Sequence, residues 1–143
     1  MPEESTTPDL VELLRRGFEA LNRRDPDAVI SLWASDAVLE GQVGNLRGRA
    51  EIRSFFEEWF GAYEELEYKL EDVRDLGNGV VFAVVAQEGV PAGSAGHGHF
   101  RQREGCVFLW ERGLIARLSS DGDVGEARAA AERLAEERAR ASD

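Results

Sequence analysis

Two histidines, His97 and His99, are the only imidazoles in the chain, and one residue separates them. On a strand, that spacing points both rings to one face, an arrangement that suits a metal or proton transfer near neutral pH. Glu88 on the preceding segment could sit across from them, but no third ligand can be named. No metal or cofactor is therefore expected, and His97 and His99 stand as acid–base candidates. Glu40 ends a short apolar string, Ala37-Val38-Leu39, just before Gly41. There it would be a catalytic base in an apolar setting, or else a solvated carboxylate paired with Arg47 or Arg49. Arg117 and Ser119 share a strand face with Ile115 and Asp121. An inward arginine would bind a carboxylate or an enolate oxygen; an outward one is a surface charge. Trp33, Phe55, Trp59 and Tyr63 can stack on a flat ligand or simply pack as core. Cys106 has no adjacent base and reads as an inert buried thiol. Asp72-Val73-Arg74-Asp75 leads into a turn and is expected in solvent.

The elements that must position these residues follow from periodicity. Asp9 can cap a first helix, with Leu10, Leu13, Leu14, Phe18 and Leu21 at helical spacing. Asp25-Pro26 restarts the chain as a second helix that ends near Ser35-Asp36. Residues 37–40 read as a strand, 41–49 as a loop, and 49–63 as an aromatic-rich third helix. The second half reads as strands over 66–76, 80–88, 97–111 and 114–121, separated by glycine-bearing turns. The stretch VVFAVVAQE at 80–88 is apolar on both faces, so both must be covered. Residues 123–141 read as a last helix that packs along a narrow alanine stripe. Helices set apart from a mainly antiparallel sheet make an α+β fold. Residues 1–8 are expected to be a disordered leader, 9–122 the domain, and 123–143 a helix and tail.

Composition narrows the function. The 143 residues include 28 acidic and 17 basic ones, for a net charge of −11. That excess repels nucleic-acid phosphate and anionic membrane surfaces, so neither is an expected partner. One cysteine rules out an internal disulfide framework. The amino terminus lacks a basic start and an apolar stretch, and a cytoplasmic location is expected.

Three strings carry a resemblance. Phe18-Glu19-Ala20-Leu21-Asn22 is followed by Asp25-Pro26-Asp27-Ala28. Leu32 to Val38 (LWASDAV) is followed by Gly48-Arg49-Ala50-Glu51-Ile52. Trp110 to Arg117 (WERGLIAR) forms the last hairpin. In this order they resemble the nuclear transport factor 2-like superfamily, nearest its SnoaL-like, polyketide-cyclase-like branch, over about residues 9–121. The resemblance implies a cone: a curved sheet wrapped round three helices, a deep apolar cavity, and a homodimer formed through the outer sheet face. It does not fix an activity. In the isomerase branch of the superfamily, a carboxylate base, a tyrosine and a protonated acid do the chemistry. Those positions fall on Gly41, Gly17 and near Gly105 or Cys106, so that mechanism is disfavoured.

The expectation is a protein that binds a small, largely apolar molecule, with acid–base catalysis of the cyclase, isomerase or hydrolase kind. Glu40, His99 and His97 would be the catalytic groups. Trp33, Phe55, Trp59, Tyr63, Arg117 and Ser119 would hold the ligand. The alternative is a non-catalytic dimerisation or protein-binding module.

Overall fold

The computed structural model describes residues 9–41, 44–93 and 98–141. Helix α1 (Leu10–Arg23) opens on Asp9, whose side chain accepts from the Glu12 amide. It closes on Arg24 in the left-handed conformation, φ 58°. The Arg24 guanidinium donates to the carbonyls of Phe60, Tyr63 and Glu64, tying this helix end to the chain that leaves the third helix. Asp25 caps helix α2 (Pro26–Ile30), with Pro26 in its first turn.

The second helix is shorter than the sequence predicts. Trp33 is not helical; it opens strand β1 (Trp33–Gly41), because Leu32 and Trp33 pair with the last strand. The Ile115 amide donates to the Leu32 carbonyl at 2.7 Å. Part of the expected 41–49 loop is strand β2 (Gly44–Arg47), a hairpin partner of β1. Its glycines and asparagine read as turn punctuation, and Leu46 alone carries its apolar signal. Helix α3 (Arg49–Gly61) precedes four strands: β3 (Tyr63–Gly77), β4 (Val80–Pro91), β5 (Phe100–Glu111) and β6 (Leu114–Asp121). Helix α4 (Val124–Ala141) ends the fold.

The curved sheet runs β2-β1-β6-β5-β4-β3. Every neighbouring pair is antiparallel except β1 with β6, which is parallel. Side chains alternate across β4, and each face feeds a separate core. Val81, Ala83 and Val85 join the core under α1 to α3. Val80, Phe82 and Val84 join a second core with Val107 and with Ala127, Ala131 and Ala135 of α4. The outer apolar face of β4 and β5 is thus covered by the chain's own last helix. The alanine stripe, spaced by four, allows close approach, and Gly105 makes room for it: a Cβ there would lie 2.5 Å from the Ala127 Cβ. Arg128 lies 5.5 Å from the centroid of the Phe82 ring, and Arg138 donates to the Asn78 carbonyl.

Candidate functional site

Between the inner sheet face and α1, α2 and α3 lies a cavity of about 300 Å3. Its walls follow from the two periodicities. Leu14, Phe18 and Leu21 come from α1, at helical spacing. Phe55, Phe56 and Trp59 come from α3. Leu39, Val85, Phe108 and Ile115 come from the strands. The rings prop one another edge-on: Phe18 lies 5.9 Å from Tyr68 and 6.4 Å from Phe108, both near perpendicular. Asn22 fixes the sheet to α1, accepting from the Tyr68 amide at 2.7 Å and donating to the Tyr68 carbonyl at 3.0 Å.

The cavity has a polar end. Gln102, Glu104 and Cys106 alternate inward along β5, Gln87 reaches in from β4, and Ser120 from β6. The Gln87 Nε2 donates to Glu104 Oε2 at 3.2 Å. The Ser120 hydroxyl also bonds to Glu104. Burial pushes the Glu104 carboxyl above the usual carboxylate range, and the bonds from Ser120 and Gln87 oppose that rise. Burial likewise raises the Tyr68 hydroxyl, and it holds the Cys106 thiol well above its ordinary value, with Glu104 adding to the effect. Among the described residues, two buried atoms here lack a well-formed hydrogen bond: Trp59 Nε1, which faces the Tyr68 hydroxyl, and Gln87 Oε1.

Of the ligand residues expected from sequence, Trp33, Phe55 and Trp59 line this cavity. Tyr63 is not among its walls; its ring packs on Trp59 and Phe100, centroids 4.9 Å and 5.0 Å away. Glu40, Arg117 and Ser119 come together, but outside it. Arg117 donates to Glu40 Oε1 through Nη2 at 2.6 Å and Nε at 3.1 Å, and Ser119 Oγ is 3.4 Å from the same oxygen. Leu39, beside Glu40, faces the cavity, so Glu40 faces away. Leu109, the register partner of Arg117, packs in the outer core. The cause is a register irregularity: Leu109 pairs with Arg117, whereas Trp110 pairs with Ile115. One residue of slip reverses the parity, so Ile115, Leu118 and Ser120 face inward in place of Ile115, Arg117 and Ser119. His99 is exposed, with Nε2 3.6 Å from Glu88 Oε1, a carboxylate that Arg101 also approaches. His97 lies outside the described residues. Among the described residues, no cluster of three or more histidine, cysteine or acidic side chains could hold a metal.

Sequence reasoning missed Glu104, Gln87, Ser120 and Tyr68. The signal was present in β5, where Gln102, Glu104, Cys106 and Phe108 stand two apart and must share a face. The isomerase positions are now explained sterically. A side chain at Gly41 would meet Ser120 Oγ at 2.2 Å, so Ser120 fills the place of the base. At Gly17 a Cβ would meet the Leu32 Cδ1 at 2.9 Å. A carboxyl does enter near the expected acid position, one residue earlier, from Glu104.

The SnoaL-like domain family matches residues 14–118. No curated protein matches the sequence. Among solved structures, a nuclear transport factor 2-like protein of unknown function from Burkholderia pseudomallei is similar. It has a TM-score of 0.71 at 15% identity, covering 84% of this chain and 95% of that one. A protein with a ketosteroid isomerase-like fold from Catenulispora acidiphila, in complex with trimethylamine, has a TM-score of 0.69 at 17% identity, covering 81% and 86%. A candidate polyketide cyclase from Pseudomonas putida has a TM-score of 0.65 at 20% identity, covering 80% and 92%. At these identities the likeness is one of fold. The match across residues 14–118 and the shared α+β cone together place the chain in the SnoaL-like branch of the nuclear transport factor 2-like superfamily.

Proposed function

We propose that the chain binds a small, largely apolar molecule in the cavity and that Glu104 moves a proton to or from it. One observation carries this reading: a half-buried carboxyl, held by Gln87 and Ser120, stands at the polar end of a cavity whose other walls are aromatic and aliphatic. A carboxyl raised above its usual range takes and returns protons nearer neutral pH than a solvated one. The apolar walls exclude water that would otherwise compete for the proton. The candidate polyketide cyclase and the trimethylamine complex among the similar structures support a small organic occupant.

The test needs no natural substrate. 5-Nitrobenzisoxazole is a flat apolar molecule. When a base takes its C3 proton, the N–O bond breaks and a coloured cyanonitrophenolate is released. The protein should accelerate this over an equal concentration of acetate. The rate should rise with pH as Glu104 ionises, and Glu104→Gln should lower it by about 100-fold. An equal rate in Glu104→Gln would overturn the role of Glu104.

A further inference from the structure

We infer that the molecule this cavity is built to hold is a primary or secondary amine, bound as its ammonium ion by Gln87 and Glu104. The inference rests on the cavity reading above and adds the chemical class of the occupant. It begins with what the polar end leaves unsatisfied. Gln87 is 8% exposed, and among the described residues its Oε1 has no hydrogen-bond partner. Its amide nitrogen already faces Glu104, because a carboxylate can only accept. The group it turns to the cavity is therefore an acceptor, and a buried acceptor without a partner destabilises the empty site. The Glu104 carboxylate beside it has further lone pairs. An occupant must bring N–H or O–H donors to both.

Counting donors separates the candidates. A hydroxyl has one proton to give and can reach one of the two acceptors. A secondary ammonium has two and a primary one three, enough for both. Charge points the same way. Among the described residues lining the cavity there is no lysine, arginine or histidine. A carboxylate or phosphate would be buried without a counter-charge, beside a carboxyl of its own sign. A cation meets the opposite situation: Glu104 at one end of a cavity that has Phe55, Phe56 and Trp59 among its walls. Burial alone disfavours the Glu104 carboxylate, and an ammonium restores what burial removes. The net charge of −11 draws cations to the whole molecule.

The experiment uses three probes of one shape: N-methylbenzylamine, benzyl methyl ether and phenylacetate. The first is an ammonium with two N–H groups, the second its uncharged isostere without a donor, the third an anion. Each is titrated at pH 8 against the wild-type protein, read by tryptophan fluorescence and by inhibition of the nitrobenzisoxazole reaction. The amine should bind at least tenfold tighter than the ether and inhibit competitively, while phenylacetate should not bind. Gln87→Leu and Glu104→Gln should each reduce the amine's advantage over the ether and leave ether binding in place. If the ether binds as tightly as the amine, the amine class is overturned and the cavity reading stands. If none of the three binds, and Glu104→Gln also leaves the nitrobenzisoxazole rate unchanged, the cavity reading falls and this inference with it.

Discussion

On β4 and β5, Val80, Phe82, Val84 and Val107 look outward at α4, while Val85, Gln87, Glu104, Cys106 and Phe108 look inward at the cavity. The same strands thus carry two faces packed in different ways. Outside, the alanines of α4 meet Phe82 and the valines of β4 and β5. Ala127, Ala131 and Ala135 lie directly on the valines, and Gly105 lets the helix settle at van der Waals distance. Inside, the residues are larger, yet a hollow of about 300 Å3 remains. Rings that meet edge-on, such as Phe18 against Tyr68 and Phe108, hold the helices off the sheet. Bulky residues that prop one another can enclose space, whereas alanines at a spacing of four close it. Gln87, Glu104 and Ser120 lie on the hollow side, where a ligand can supply the contacts the protein leaves unmade.

The sharpest way to break this comparison is to make one substitution on both faces. Gly105→Ala puts a methyl group 2.5 Å from the Ala127 Cβ and 3.3 Å from the Val124 Cα. One of those neighbours is helix backbone, so α4 as a whole must lift. A loss of about 2 kcal/mol is expected in urea unfolding. Gly17→Ala adds the same methyl to the cavity wall, where it meets only the Leu32 Cδ1 at 2.9 Å, the end of a flexible side chain. Replacing a glycine inside a helix favours folding by about 1 kcal/mol, so a net gain of about 0.5 kcal/mol is expected. Equal losses at both sites would mean that the two faces are packed alike.

Much of this contrast was legible in the sequence. The two-faced apolar run at 80–88, the alanine stripe after residue 123 and the aromatic density of 49–63 each point to a covered surface, and each is found. What covers the outer face could not be read, because an alanine stripe gives too weak a signal to show which apolar surface the helix joins. The site was less legible. Trp33, Phe55 and Trp59, picked out by their type, line the cavity, but the carboxylate at its polar end comes from β5 and not from β1, where Glu40 follows an apolar string. The polar start of β5 looks like a solvent edge until the neighbouring strands are in register. The misplacement of Arg117 and Ser119 has a single physical source, the slip between Leu109 and Trp110, which leaves no mark on local composition.

A second test sharpens the comparison through pH. Burial raises the Glu104 carboxyl, so the folded chain holds that proton more tightly than the unfolded chain does. The stability this contributes is complete below the ordinary carboxylate range and is lost as pH rises through the raised value. Glu104→Gln removes the titrating group and keeps the shape. Its melting temperature should therefore gain on the parent's between pH 4 and pH 8, even as the nitrobenzisoxazole rate falls. Stability gained where activity is lost marks a group kept for chemistry. Melting curves that differ by the same amount at every pH would show that Glu104 is not strained by its burial.

The smallest effect is expected on the outer face, at the charges that sequence reasoning placed in the site. Arg117 offers two nitrogens to one oxygen of Glu40, and Ser119 adds a third contact. The Arg117 side chain is 52% exposed, so water and salt screen the pair. A double-mutant cycle with Glu40→Gln and Arg117→Met should give a coupling of about 0.5 kcal/mol, shrinking further in 1 M salt. Neither variant should change the nitrobenzisoxazole rate or the amine preference, because the trio faces away from the cavity. The contrast with Glu104→Gln is the point of the measurement. Two carboxylates on one sheet, both hydrogen-bonded to a serine, should differ by about 100-fold in their effect on proton transfer. If Glu40→Gln slowed the reaction as much as Glu104→Gln does, the assignment of inner and outer faces on β1 and β6 would be wrong.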